Sequence, residues 1–149
     1  MTRVNFGVSV RRLTDEHLLA EHREIKRIPG AYLTALRSGS IDKTPKKFCL
    51  GRGHILFFID KPGYTLRRYM QIYRECLRRG FDVQSYAGNW SCYSEGANLK
   101  TVRATDADRA MLITRISERI KSSPKRTFHY YGEPLSKRDA IRLLYGGIK

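Results

Sequence analysis

Apolar residues recur along this chain at helical spacing in four places. The first run follows Thr14, with Asp15 and Glu16 in its opening turn, where acids suit the helix dipole. It predicts a helix to about Ile28, a bend at Pro29-Gly30, and a continuation through AYLTALRS to Gly39. A second helix is predicted over 64–79, with Leu66, Met70, Tyr73 and Leu77 on one stripe and Gly80 as its left-handed stop. A third covers 106–121 after Thr105, with Leu112, Ile113, Ile116 and Ile120 on one face, and ends before Ser122-Ser123-Pro124. A shorter fourth follows Ser136, with Asp139 three positions on as a capping-box partner, and stops at Gly146-Gly147. Between them lie long irregular stretches, 39–53 and 82–104. KFCLGRGHILFFID is ambiguous: its apolar run would pass for a buried strand, but no convincing second strand exists to pair with it. The expectation is an all-α, compact single domain over 1–149, with three main helices, long loops and a short helix added at the C-terminus.

On a wheel at about 100° per residue the first helix has two faces. Leu18, Ile25 and Ile28 cluster towards the core, whereas His17, Ala20, Arg23, Glu24 and Arg27 fill the opposite arc. Glu21 lands at the apolar edge and is expected to make a structural hydrogen bond. Glu24 with Arg27 reads first as a surface pair worth a few tenths of a kcal/mol. Yet two arginines exceed what one carboxylate needs, and phosphate is a ligand that guanidinium grips bidentately.

Composition strengthens the second reading. Lys and Arg number 29 against 14 acids, a formal net charge of +15. Nucleic acid or an anionic membrane is the usual partner of such a chain. The longest apolar run, HILFFI at 54–59, is far below the roughly 20 residues of a spanning helix, so membrane is set aside. The N-terminus lacks the apolar core of a signal peptide, which points to the cytoplasm. Cys49, Cys76 and Cys92 are odd in number and far apart, and read as neutral thiols rather than a disulfide or zinc framework.

Further basic sets stud the later helices: Arg67, Arg68, Arg74, Arg78 and Arg79 on the second, Arg115, Arg119 and Lys121 on the third. SSPKRTFHYYGE then interleaves Lys125 and Arg126 with Phe128, His129, Tyr130 and Tyr131. Cations beside aromatics suit phosphate contact with stacking, although the rings serve core packing equally well, and Tyr130 and Tyr131 could divide the two roles. At the other end, MTRVNF places a small residue second, which permits removal of Met1 and leaves an α-amine on Thr2. Such an amine has a pKa of about 7.7–8, so roughly a tenth is the neutral nucleophile near pH 7.

Taken together, MTRVN, HLLAEHREIKRIPG, LGRGHILFFIDK, ECLRRGF and the late HYYG segment resemble the pyrimidine dimer DNA glycosylase family, in the same order and as far as about Gly132. The resemblance implies an all-α fold and an enzyme of DNA repair that needs neither metal nor cofactor. Its substrate would be damaged double-stranded DNA, and the chain is expected to act as a monomer without an obligate protein partner. Such an enzyme excises the 5′ base of a cis-syn cyclobutane pyrimidine dimer, then cleaves the abasic site by β-elimination. By the family's pattern Thr2 supplies the attacking amine and Glu24 is the catalytic carboxylate. Arg3, Arg23, Arg27, Arg115 and Arg119 fall on basic DNA-binding positions, and Lys125, Arg126, Phe128, His129 and Tyr130 on the DNA contact segment. Two departures stand out. His22 occupies a position where relatives usually carry an aromatic ring, and residues 133–149 extend beyond the resemblance as an amphipathic addition. The competing readings are the same chemistry on another damaged or modified base, and a non-catalytic basic DNA-binding protein.

Overall fold

A computed structural model describes residues 4–97 and 100–147; Thr2 and Arg3 lie outside them. The first helix, α1 (Asp15–Ile25), begins where Thr14 Oγ1 accepts the His17 N–H. It ends sooner than its sequence suggests, at a turn over Lys26-Arg27. Pro29 does not bend α1 but sits in the first turn of α2 (Ile28–Arg37), where its missing N–H removes no helical bond. The ambiguous HILFF run is helical, as α3 (Gly53–Phe58), and buries His54, Phe57 and Phe58.

The long α4 (Pro62–Arg78) also opens on proline, and it packs on α1. Its buried face is Thr65, Arg68, Tyr69, Ile72, Glu75 and Cys76, rotated from the expected stripe, so that Leu77 is 48% exposed. The rotation follows from two arginines expected at the surface. Arg68 and, just beyond the helix, Arg79 turn inward to meet carboxylates of α1. Next comes α5 (Asp106–Ser122), started by a complete capping box between Thr105 and Asp108.

The all-α expectation needs one correction. The aromatic segment forms a hairpin of β1 (Thr127–Tyr130) and β2 (Glu133–Ser136), antiparallel, with Phe128 opposite Leu135. Its two-residue turn, Tyr131-Gly132, has both residues at positive φ, 52° and 79°. That is the twist a tight hairpin needs, though glycine or asparagine usually fills the first place. The two turn N–H groups donate to Asp15, at 3.2 and 2.9 Å, so a buried carboxylate holds the strained turn. The C-terminal α6 (Lys137–Leu144) starts at Ser136, whose Oγ accepts the Asp139 N–H as expected. It buries Ala140, Leu143 and Leu144 and packs on α5 and the hairpin. The C-terminal addition is therefore part of the core.

The stretch 82–104 looked irregular, but its aromatics Trp90 and Tyr93 are tied to the core. Trp90 donates its indole N–H to Thr65 Oγ1 and stacks on Tyr69; Tyr93 donates to the Ile59 carbonyl and stacks on Tyr32. Cys76 is a buried thiol whose pKa burial pushes up to about 11, and the cysteines are unbridged. No helix among the described residues is long and apolar enough to cross a membrane.

Candidate active site and nucleic-acid interface

Leu18, Glu21, His22 and Ile25 are drawn into the core and leave Arg23, Glu24 and Arg27 outside as periodicity predicts, whereas His17, expected on the same arc, packs its ring on Phe128. Glu24 is 20% exposed and accepts from an Arg27 guanidinium N–H at 3.0 Å; Arg27 itself is 63% exposed. Arg23 stands exposed beside them and makes no ion pair with a described residue. Under Arg23 opens a cleft of about 340 Å³, lined also by Leu19, His22 and the 82–86 segment.

His22 floors that cleft and is buried, 3% exposed. Its Nε2 lies 3.3 Å from the Tyr69 hydroxyl, which in turn accepts the Tyr86 N–H at 2.6 Å. The rings of Tyr69, Tyr73 and Tyr86 surround it. Burial, with Lys26 and Arg23 adding, holds its pKa below the ordinary histidine value. His22 thus stays neutral and joins the 82–86 segment to α1.

The chain's N-terminal segment is clamped by groups that sequence reasoning largely missed. Val4 N–H donates to His54 Nε2 at 2.9 Å, and His54 Nδ1 faces the Cys49 carbonyl at 3.2 Å. The ring is therefore neutral, with its proton on Nδ1, and burial lowers its pKa accordingly. The glycines of LGRGH make this possible: Gly51 takes φ +84°, and a Cβ on Gly53 would lie 2.5 Å from Cys49 Sγ. Asn5 donates through its backbone N–H and its side chain to the two oxygens of Glu21, at 3.1 and 2.7 Å. Arg68 closes the far side of Glu21 bidentately, at 2.8 and 2.9 Å, and also donates to the Val8 carbonyl. Glu21 is thus structural, as the wheel indicates. Gly7, at φ +80°, has no room for a side chain against Ala104, and its carbonyl accepts from Arg109.

The remaining sequence candidates disperse. Arg119 adds to the lowering of the His54 pKa, whereas Arg115 lines a separate hollow beside Leu50 and Met111. Lys125 and Arg126 are exposed on the approach to the hairpin. Phe128, expected to touch DNA, is only 4% exposed, and its ring stacks on the half-buried His17. Its alternation with exposed Thr127 and His129 is what a two-faced strand requires. His129 is exposed and tied to Glu16 by its ring, at 2.7 Å, and by its backbone N–H. Tyr130 donates to the Arg11 carbonyl and covers Arg79. Arg79 is itself buried between Asp15 and Glu75.

The sequence profile of the pyrimidine dimer DNA glycosylases matches residues 1–87. The chain belongs to that family. Membership makes it a DNA repair glycosylase with DNA as substrate. The matched stretch contains the whole of α1 to α4, hence the Arg23–Glu24–Arg27 face, the Glu21 clamp and His54. It ends before α5, the hairpin and α6, which complete the core around it. His54 sits in the LGRGH block that carries the family resemblance; its paired glycines were the sequence signal for a turn holding a special side chain.

Proposed function

We propose that the protein excises the 5′ base of a cis-syn cyclobutane pyrimidine dimer and then cleaves the strand at the abasic site, with the Thr2 α-amine as nucleophile and Glu24 as its acid–base partner. One observation carries the reading. The N-terminal segment is locked by Glu21 at Asn5 and by His54 at Val4, while Glu24 stands one turn from Glu21 on the arginine-bearing face of α1. A tether of two residues carries the amine no more than about 7 Å from the Val4 anchor.

The chemistry suits these groups. The neutral amine attacks C1′ as the glycosidic bond breaks, and the bonding pair leaves with the base, which stays joined to its neighbour through the cyclobutane ring. The transition state puts positive charge on the sugar, and the Glu24 carboxylate stabilises it. Ring opening gives an iminium between N and C1′. Loss of a C2′ proton, relayed by Glu24, then expels the 3′ phosphate by β-elimination. Arg23 and Arg27, with Arg3 and Arg119, hold flanking phosphates, and Lys125, Arg126, His129 and Arg115 extend the grip. The cleft beside Arg23 is a place for an extruded nucleotide, and a dimer lowers the cost of extrusion because it already weakens stacking.

Incision of a defined dimer duplex, beside abasic and oxidised-base duplexes, tests this reading. Glu24→Gln is expected to bind the dimer duplex within about threefold of the parent, a surface pair being worth under about 1 kcal/mol. Its excision should fall by about a hundredfold or more. Equal loss of binding and excision would make Glu24 a structural residue.

A further inference from the structure

Two clefts run along α4, over the buried Arg68 and Glu75, and they meet at Ser9 and Gln71. One, of about 530 Å³, is lined by Arg67, Arg103 and Arg109; the other, of about 400 Å³, by Arg11, Arg74 and Arg78. On α4 the residues Arg67, Gln71, Arg74 and Arg78 share an arc of about 60°, centred about 130° from the middle of the buried arc. The groove therefore opens away from the Arg23–Glu24–Arg27 face, with α1 and α4 packed between them.

Its charge is largely uncompensated. Arg11, Arg67, Arg74 and Arg103 are exposed and form no ion pair among the described residues. The one carboxylate among the described lining residues, Glu75, already accepts from Arg78, Arg79 and the Tyr131 hydroxyl. Self-repulsion on this scale weakens a fold unless an anion answers it.

Shape and lining select the anion. From Arg67 to Arg78 the groove follows eleven residues of helix, about 16 Å, long enough to meet a few successive phosphates of a duplex. It offers no platform for unpaired bases, because its aromatic residue, Tyr64, packs its ring on Phe6 and Phe58. We infer that this groove binds the phosphate backbone of a second duplex segment while the Glu24 face holds the first. The protein then bridges two stretches of DNA and passes between them without full release, independently of sequence. The inference rests on DNA as the partner of the Glu24 face and not on the excision chemistry, so its test uses undamaged DNA.

The full chain is loaded on an immobilised undamaged duplex at low salt, washed, and offered a second, fluorescent duplex. The parent should capture it. The Arg67→Ala/Arg74→Ala/Arg103→Ala variant should load equally but capture about tenfold less or worse, since three phosphate contacts are gone. Its incision of a dimer oligonucleotide too short to reach both faces should equal the parent's. Arg74→Glu, checked for fold by circular dichroism, gives the same readout if the triple variant fails to fold. Absence of capture by the parent overturns the inference, and so does undiminished capture by a folded variant, which would place bridging in self-association. Arginine-dependent binding to anionic phospholipid vesicles without duplex capture would assign the groove to a membrane and overturn it as well.

Discussion

Glu21 and Glu24 are one helical turn apart on α1 and have opposite fates. Glu21 is fully buried and satisfied by Asn5 and Arg68, whereas Glu24 meets solvent and one arginine. Removing one partner of a buried pair strands the other charge, so Glu21→Gln should cost about 3–5 kcal/mol of unfolding free energy. Glu24→Gln should cost under about 1 kcal/mol, because its pair is exposed. Urea melts of the two variants check the contrast; equal losses would put Glu24 in the core. The wheel separates these two acids from sequence alone, since burial tracks the apolar arc.

His54 carries a pH dependence. Its Nε2 can accept the Val4 N–H only when unprotonated, and burial keeps its folded pKa below the ordinary value near 6.5. The unfolded chain therefore binds more protons below that pH. Stability is full above about pH 6.5 and is lost as pH falls through the folded pKa. His22 shifts in the same direction, so the comparison that isolates His54 is parent against His54→Gln. The variant should show a shallower loss of stability between pH 6.5 and 5, and hydrogen exchange at Val4 N–H in the parent should quicken as pH falls, once intrinsic rates are divided out. A pH-independent difference would show that His54 does not titrate on unfolding.

Among the elements, helices were legible and the hairpin was not. Apart from α3, whose run was ambiguous and which starts without a cap bond or a proline, each helix announces itself by periodicity and by a cap or proline at its start. The strand TFHY is four residues long, and its turn begins with Tyr131, where glycine or asparagine is the usual signal. What permits the turn is Asp15, at the start of α1, and no local pattern could reveal that contact. Asp15→Asn should therefore loosen the hairpin, costing about 3 kcal/mol through the lost anion under Tyr131, Gly132 and Arg79. The β1–β2 amides should exchange faster in hydrogen exchange while α4 keeps its protection. Unchanged hairpin exchange would mean that the strand pairing alone holds the turn. Arg68 and Arg79 were misread for a related reason. A helix with five arginines looks like a basic surface until carboxylates from another element claim two of them. Phe128 shows the converse: a ring beside cations in sequence, yet facing inward because a strand alternates.

At the scale of the whole molecule, the excess of cations builds two separate surfaces besides scattered charges. The α1 face carries the acid Glu24; the outer side of α4, within the same matched stretch, carries arginines around an already engaged Glu75. Composition forecast a polyanion partner but not this division, which depends on which arginines the core consumes. On the α1 face, the N-terminal amine and Glu24 are proposed to act together on a sugar. Borohydride reduction of the protein mixed with dimer-containing duplex, followed by peptide mapping of the trapped adduct, tests it most directly. The expected product is a covalent complex whose DNA remnant maps to the α-amine of Thr2 in a chain that has lost Met1, and which N-terminal acetylation abolishes. An adduct on a lysine side chain, or full trapping after acetylation, would contradict it.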